Sequence, residues 1–481
     1  MKKQNHVSEK RKRRRKKNER KAIILAVLVV ISVIALVVTL AAFAFKADFF
    51  VDKNREEQKN RQENDAQPEI EVTVEDAANQ SDRGGGLDDT DLGQTDESDL
   101  DQSDQSAVQK DENVQVLQDV TMIFAGDICF YDAYANMTAL RARGGKIESC
   151  IDENLLAEMK AADICMVNNE FAYSDRGTPL ADKAFTFCSK PSNVSLLHDM
   201  GVDLVSLANN HVYDYGPDAL LDTLDTLKNA DIPYVGAGRD LSEASAVYYF
   251  EKNGRRIAFV SATQVERNEH PDTKGATDTT PGTFRCYTKD EFERLTAVIR
   301  EADAQADLTV VYVHWGTENT DELHWAQIEQ APKIVEAGAD LIIGDHPHCL
   351  QNVEYLNGVP VIYSLGNFWF NSKTLDTCLF KVIYRTDGKL DCRLIPAKQH
   401  DCRTDMETGS EKQRILDYMQ CISPNVTFDQ DGNITNTPYT GPKIDYDAVE
   451  RVPDPPAAAT PLPAADPAGP VPDDITPVPV Q

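Results

Sequence analysis

The middle of the sequence, about residues 118–400, predicts an α/β layered domain. Short apolar runs there end in glycine or a polar residue: VTMIFAGD, DICMVNNE, DLVSLANNH, RIAFVSAT, LTVVYVHWG, DLIIGDH and PVIYSLGN. Helical patterns separate several of them. Residues 217–229 (PDALLDTLDTLKN) and 322–337 read as amphipathic helices, and Pro217 suits a first helical turn. Residues 376–396 add β-like segments with no helix between them, so a mixed or two-sheet core is expected rather than a purely parallel one.

Both ends of the 481-residue chain differ from this middle. Residues 1–21 form a basic tail with twelve Lys/Arg against two acids. The formal net charge is −30, so the remainder carries about −40. A field of that sign repels polyanions and argues against general nucleic-acid binding. Residues 22–45 (AIILAVLVVISVIALVVTLAAFAF) form an uncharged apolar run with only Ser32 and Thr39 as polar residues. At ~1.5 Å per residue they are long enough to cross a ~30 Å hydrocarbon core. The basic flank is the positive-inside pattern, so one transmembrane helix is expected, with a cytoplasmic N-terminus and an extracellular main domain. The alternative is a signal peptide, with Ala42-Phe43-Ala44 in the small-x-small form of a cleavage site. The run is longer than the apolar core of about 7–15 residues usual in signals, and either reading exports the domain.

Residues 46–117 read as an acidic, disordered linker, since DDTDLGQTDESDLDQSDQ has too few apolar side chains to offset its ordering entropy. Residues 401–451 read as a C-terminal extension. Residues 452–481 are a disordered Pro/Ala-rich tail of extended character. Of the 10 cysteines, Cys165 and Cys188 sit in apolar runs as small buried hydrophobes, and no pairing is assigned.

Polar residues recur just past the strand runs, where the carboxyl ends of strands in an α/β sheet face one crevice. They are Asp127; Asn169 and Glu170; Asn209, Asn210 and His211; His314; and Asp345, His346 and His348 around Pro347. Imidazoles, carboxylates and an amide oxygen are ligands for Zn, Mn or Fe. Two such ions ~3.5–4 Å apart hold a phosphate and activate a water. Taken singly, each residue also has a plain reading: Asp127 as a turn residue, Asn209 and Asn210 as left-handed turn formers, His314 as a core histidine. Together at successive strand ends they point to a metal or catalytic centre.

The set resembles the CapA family of capsule or poly-γ-glutamate synthesis proteins, whose fold is similar to calcineurin-like metallophosphoesterases. FAGDICF (124–130), NNEF (168–171), the stretch 187–216 ending in SLANNHVYDYG, YVGAGRD (234–240), VHWGTE (313–318), IIGDHPHCLQ (342–351) and YSLGNF (363–368) carry it, over about 250 residues. The resemblance implies a layered β-sandwich flanked by helices. It implies Asp127, Glu170, Asn210, His314, His346 and His348 as ligands of one or two divalent ions, with Glu170 in the bridging place. His211 would meet the phosphoryl group. Asn169, Asn209 and Asp345 are assigned to substrate binding.

Two positions depart from the family pattern. Cys129 stands where metallophosphoesterases carry a His, and Asp345 replaces the first His of Gly-His-His-Pro-His. A single ion, or binding without turnover, therefore stays open. Cys129 is expected to be a small buried filler, although a thiolate is a good Zn ligand. The resemblance further implies support of synthesis or export of an anionic polymer, with the bilayer, a membrane polymer synthase and the polymer as partners. Hydrolysis of an envelope substrate and a non-enzymatic scaffold are the alternatives. The acidic domain would not draw the polymer by its field, so contact is expected through metal or single cations such as Lys190 and Arg239.

Overall fold

The computed structural model describes residues 117–181, 183–265 and 274–450. The chain divides into two units, Met1–Ala107 and Val108–Gln481, and every described residue belongs to the second. The basic tail, the apolar run 22–45, the linker to residue 116 and the tail 452–481 lie outside the described residues. Among those described, no helix is long and apolar enough to cross a membrane.

The strands that build the domain are β1 (Val120–Ile128), β2 (Ile164–Asn169), β3 (Leu204–Ser206), β4 (Arg255–Thr263), β5 (Leu308–His314), β6 (Leu341–Asp345), β7 (Val359–Ile362), β8 (Asn367–Trp369), β9 (Leu375–Tyr384) and β10 (Leu390–His400). The flanking helices are α1 (Glu153–Ala161), α2 (Pro217–Asn229), α3 (Lys289–Asp303), α4 (Trp325–Glu336) and α5 (Gly409–Ile422). One sheet runs β10-β9-β1-β2-β3. Its β1, β2 and β3 are parallel, β9 and β10 form an antiparallel hairpin, and β8 pairs with β1 where the β9 pairing ends. The other runs β7-β6-β5-β4, all parallel.

The two sheets share an inner core that includes Met122, Phe124 and Met166 from one side and Phe259, Val310, Tyr312 and Ile343 from the other. Leu220, Leu224 and Leu227 of α2 form one apolar stripe over Cys165 and Val167. On the far side Leu295 and Ile299 of α3 and Ile334 of α4 cover Val311, Val313 and Ile342. The result is a mixed α/β domain of two sheets between helices. Pro217 opens α2 as its sequence suggests. Helix α4 begins three residues later than the pattern from 322, because the His324 N–H donates to Gln327 Oε1 (2.8 Å) as a cap. The segment 401–450 joins the first sheet through Arg403–Met406 and Asn433–Thr435.

Strand alternation decides which side chains enter the space between the sheets. On β5, Val310 and Tyr312 point inward, so His314 does too. On β2, Asn168 shares the inward parity of Met166, whereas Asn169 follows Val167 outward. On β1 the register slips: Ala125 pairs with Val167, but Asp127 pairs with Asn168. The extra residue is Gly126, and this bulge turns Asp127 inward. Only glycine fits, since a Cβ here would sit 1.8 Å from the Gly366 carbonyl oxygen.

Gly126→Ala is therefore expected to cost about 3 kcal/mol of unfolding free energy. The urea midpoint would fall at unchanged m-value. A cost under about 0.5 kcal/mol would show that β1 and the Gly366 turn separate there without penalty.

Candidate metal centre

The inward strand ends meet in one cluster. Three groups of side chains each bring one ligand atom per residue within 4.8 Å of one another: Asp127, Glu170 and His348; Glu170, His314 and His346; and Glu318, His346 and His348. Glu170, His346 and His348 each belong to two of them, and Glu170 is the one carboxylate among these three, the kind of group that can bridge two ions. His314 Nε2 lies 2.9 Å from Asn210 Oδ1, 3.1 Å from His346 Nδ1 and 3.4 Å from Glu170 Oε1. His348 Nδ1 lies 3.0 Å from Asp127 Oδ2 and 2.8 Å from Asn367 Oδ1. The six residues expected to hold metal are thus brought together.

The electrostatics of the cluster favour a cation. Glu170 is fully buried, and neither carboxylate oxygen receives an N–H or O–H. Burial pushes its pKa well up, and the neighbouring Asp127 and Asp345 carboxylates add to the rise. A buried charge without a partner costs several kcal/mol. The imidazoles offer no compensating charge. Burial lowers His314 to about 3, and burial with His314 and His348 nearby holds His346 well below its usual value. Neutral imidazoles keep lone pairs free for a metal. At His348 burial opposes the charge most strongly, but the hydrogen bond and charge of Asp127, the Glu318 charge and the Asn367 hydrogen bond together raise the pKa. The residues therefore fit a divalent cation, with two orphaned oxygens and neutral nitrogens around one space.

The loop that presents the two histidines is strained. His346 has φ 97° and His348 φ 58°, values that non-glycine residues adopt at a cost of about 1–3 kcal/mol each. Hydrogen bonds hold the loop: Trp315 N–H to Asp345 O (3.0 Å) and Asn319 N–H to Pro347 O (2.8 Å).

His211 stands beside the ligands, its Nε2 3.9 Å from Glu170 Oε1. Its Nδ1 lies 2.7 Å from Asp214 Oδ2, and its ring packs against Phe187 at 4.3 Å between centroids. Burial lowers its pKa. Asp214 also accepts from Lys183 Nζ (2.7 Å) and the Phe187 N–H (2.7 Å). The arrangement fixes the ring and leaves Nε2 toward the cluster, as a proton-transfer group requires. A cavity of about 430 Å³ opens beside it, lined by Asn210, His346, Glu318, Trp325, Tyr287 and Gln264 among others.

The residues assigned to substrate binding are placed differently from the ligands. The Asn209 amide donates to Asn168 Oδ1 (3.0 Å) and Asn169 O (2.9 Å), and its oxygen accepts the His211 and Val212 N–H groups. It shapes the turn that carries Asn210 and His211. The Asn169 amide donates to Phe171 O (2.8 Å). Asp345 has the inward parity of Ile343 and accepts from the Tyr312 hydroxyl between the sheets, where burial, with Asp127 nearby, raises its pKa well up. None of the three lines the 430 Å³ cavity. Arg239 is held by Asp225 and Glu243, so its charge is already paired. Lys190 is exposed. Cys129 is wholly buried, burial pushes its thiol well up, and it is in none of the ligand groups.

Sequence reasoning missed Asn168, Asp214, Lys183, Asn367 and Glu318. Asn168 donates to Asp127 Oδ1 (2.7 Å), and strand parity was the signal that separates it from Asn169. Asp214 and Asn367 sit inside stretches already singled out. Nothing local marks Lys183.

Residues 121–372 match the family described as "Bacterial capsule synthesis protein PGA_cap". The chain is 33% identical over 241 residues to the "PGA biosynthesis protein CapA" of Bacillus subtilis, covering 49% of this chain and 61% of that protein. It is 33% identical over 240 residues to the "Capsule biosynthesis protein CapA" of Bacillus anthracis, covering 49% and 57%. A "Probable polyglutamine synthesis accessory protein" of Mycobacterium tuberculosis is 27% identical over 213 residues, covering 44% and 56%. The chain thus spans less than two thirds of the length of these relatives.

Two outcomes are expected from the site. Without metal, burial holds the folded pKa of Glu170 well above the ordinary glutamate value of 4.5. The penalty is absent below that pH and grows as pH rises toward the folded value. Glu170→Gln should therefore gain stability over wild type progressively above about pH 4.5. With metal at ~100 times its Kd, wild type should gain about 2.7 kcal/mol and the variant almost nothing. Thermal melts with and without Mn or Zn check both, and identical pH profiles would contradict the assignment. Separately, elemental analysis should find as much metal in Cys129→Ser as in wild type, while His346→Ala loses at least one equivalent. Loss of an ion from Cys129→Ser would make the thiolate a ligand.

Proposed function

This chain belongs to the PGA_cap family of bacterial capsule synthesis proteins, and we propose that it supports synthesis or export of an anionic envelope polymer through a divalent-metal centre. Poly-γ-glutamate is the leading polymer, on the resemblance to the CapA family and its PGA and capsule biosynthesis relatives. The observation that carries the metal centre is Glu170, buried among Asp127, His314 and His346 with neither oxygen accepting a hydrogen bond. In this reading the apolar run 22–45 anchors the protein in the bilayer, the basic tail stays inside, and the domain works outside next to a membrane synthase. The lining of the 430 Å³ cavity includes no Lys or Arg among the described residues. An anionic chain entering there would find its cation at the centre.

The His211–Asp214 pair favours turnover over a purely structural role. Asp127, Glu170, Asn210, His314, His346 and His348 would hold one or two ions. Bound metal would supply Lewis-acid stabilisation of a phosphoryl or carbonyl oxygen. His211 keeps its Nδ1 proton on Asp214 and exchanges a proton at Nε2, and Lys183 holds Asp214 in place. The substrate is then a phosphoester or an amide bond of the polymer.

The test uses chromogenic phosphoesters and γ-linked glutamate, with and without Mn or Zn. His211→Ala should keep its metal and lose about 10²–10⁴-fold in kcat. Metal-loaded protein inert on every substrate would favour a scaffold that positions the synthase. Unchanged surface anionic polymer after deletion of the gene would sink the polymer reading itself.

A further inference from the structure

Glu318 lies on the loop that follows β5, just past a turn at Gly316 (φ +97°). Its carboxylate forms a ligand group with His346 and His348, the three ligand atoms lying within 4.8 Å of one another. The loop is laced to the histidine loop on both sides of Glu318. Trp315 N–H donates to Asp345 O (3.0 Å), Asn319 N–H to Pro347 O (2.8 Å), and Cys349 Sγ to Thr320 O (3.3 Å). The position of Glu318 relative to the two histidines is therefore built into the backbone. Its surroundings differ from those of the other acids. Asp127 and Glu170 are fully buried, whereas Glu318 is exposed and lines the 430 Å³ cavity beside Asn210 and His346. The orphaned oxygens of Glu170 lie deeper in the same cluster and are the independent sign that a cation belongs there.

We propose that Glu318 is a third, solvent-side carboxylate of the centre, a displaceable ligand that yields its place to an anionic oxygen of the substrate. This rests on the metal-centre reading. An exposed carboxylate exchanges protein contact for water at little cost, whereas withdrawing Glu170 would strand a buried charge. An anion arriving through the cavity reaches Glu318 before the buried ligands. While Glu318 stays in place it repels that anion, and when it swings out it leaves an open position beside His346 and His348. The side chain thus completes the ligand shell at rest and sets a threshold that only a metal-seeking anion crosses.

Titration calorimetry on the full-length protein tests this with Mn and inorganic phosphate as probes. Glu318→Gln should weaken Mn binding by about tenfold. Phosphate should bind the Mn-loaded variant about threefold or more tightly than Mn-loaded wild type. Glu322→Gln, a nearby exposed change of the same charge, should match wild type in both. Unchanged Mn affinity in Glu318→Gln overturns the assignment, as does phosphate tightening equal in the two variants, which would reflect general charge. Weaker Mn binding without tighter phosphate overturns the displacement. If Glu170→Gln leaves Mn uptake unaltered, the metal-centre reading falls with this one. If Glu170→Gln abolishes uptake and Glu318→Gln is silent, only the Glu318 role is lost.

Discussion

A carboxylate buried without a donor, beside a second buried carboxylate, stays charged in a protein interior only when a cation sits against it. Glu170 meets that description, and the rest of the site is arranged around it. Burial strips the charge from His314 and His346, so they offer lone pairs and no compensation. Asp127 is already engaged by His348 and Asn168. At an effective dielectric near 20, two charges 4 Å apart interact by about 4 kcal/mol, so a dication among these acids outweighs their mutual repulsion. Without it, the raised pKa of Glu170 favours its protonated form. The cluster therefore suits either a proton on Glu170 or a divalent cation against it.

The fold creates this arrangement by small departures from regular strands. A single extra residue at Gly126 reverses the parity of β1 and sends Asp127 inward beside Asn168. The path from β6 turns through two left-handed histidines instead of continuing as strand. Both departures are local costs that the surrounding ladders and the packed inner core hold in place. The space between the sheets is apolar over most of its depth and becomes polar only at the strand ends. The candidate ligands are mostly buried, while Glu318 and Trp325 at the cavity are exposed.

Much of this was legible in the sequence, because strand ends are marked by glycine and polar residues and the ligands sit there. Helix α2 matches its apolar pattern residue for residue, and the six ligand candidates meet in space. What was not legible depends on parity or on distant pairing. Asn168 and Asn169 are equal in composition, and only alternation along β2 chooses between them. The same alternation turns Asp345 inward, where it accepts from the Tyr312 hydroxyl, a pairing with no local pattern in sequence. Lys183 reaches Asp214 across 31 residues, and Asn367 reaches His348 across 19, with no local pattern linking either pair. The Arg239 charge looked available in sequence and is absorbed by Asp225 and Glu243 in the fold.

The most direct test of the central claim is anomalous X-ray scattering from crystals grown with Mn or Zn, collected on either side of the metal absorption edge. The account predicts an anomalous peak within bonding distance, about 2.0–2.2 Å, of a Glu170 oxygen, with His314 and His346 in the same coordination shell. A fully loaded crystal with no peak there, and with Glu170 protonated and hydrogen-bonded to Asp127, would contradict it.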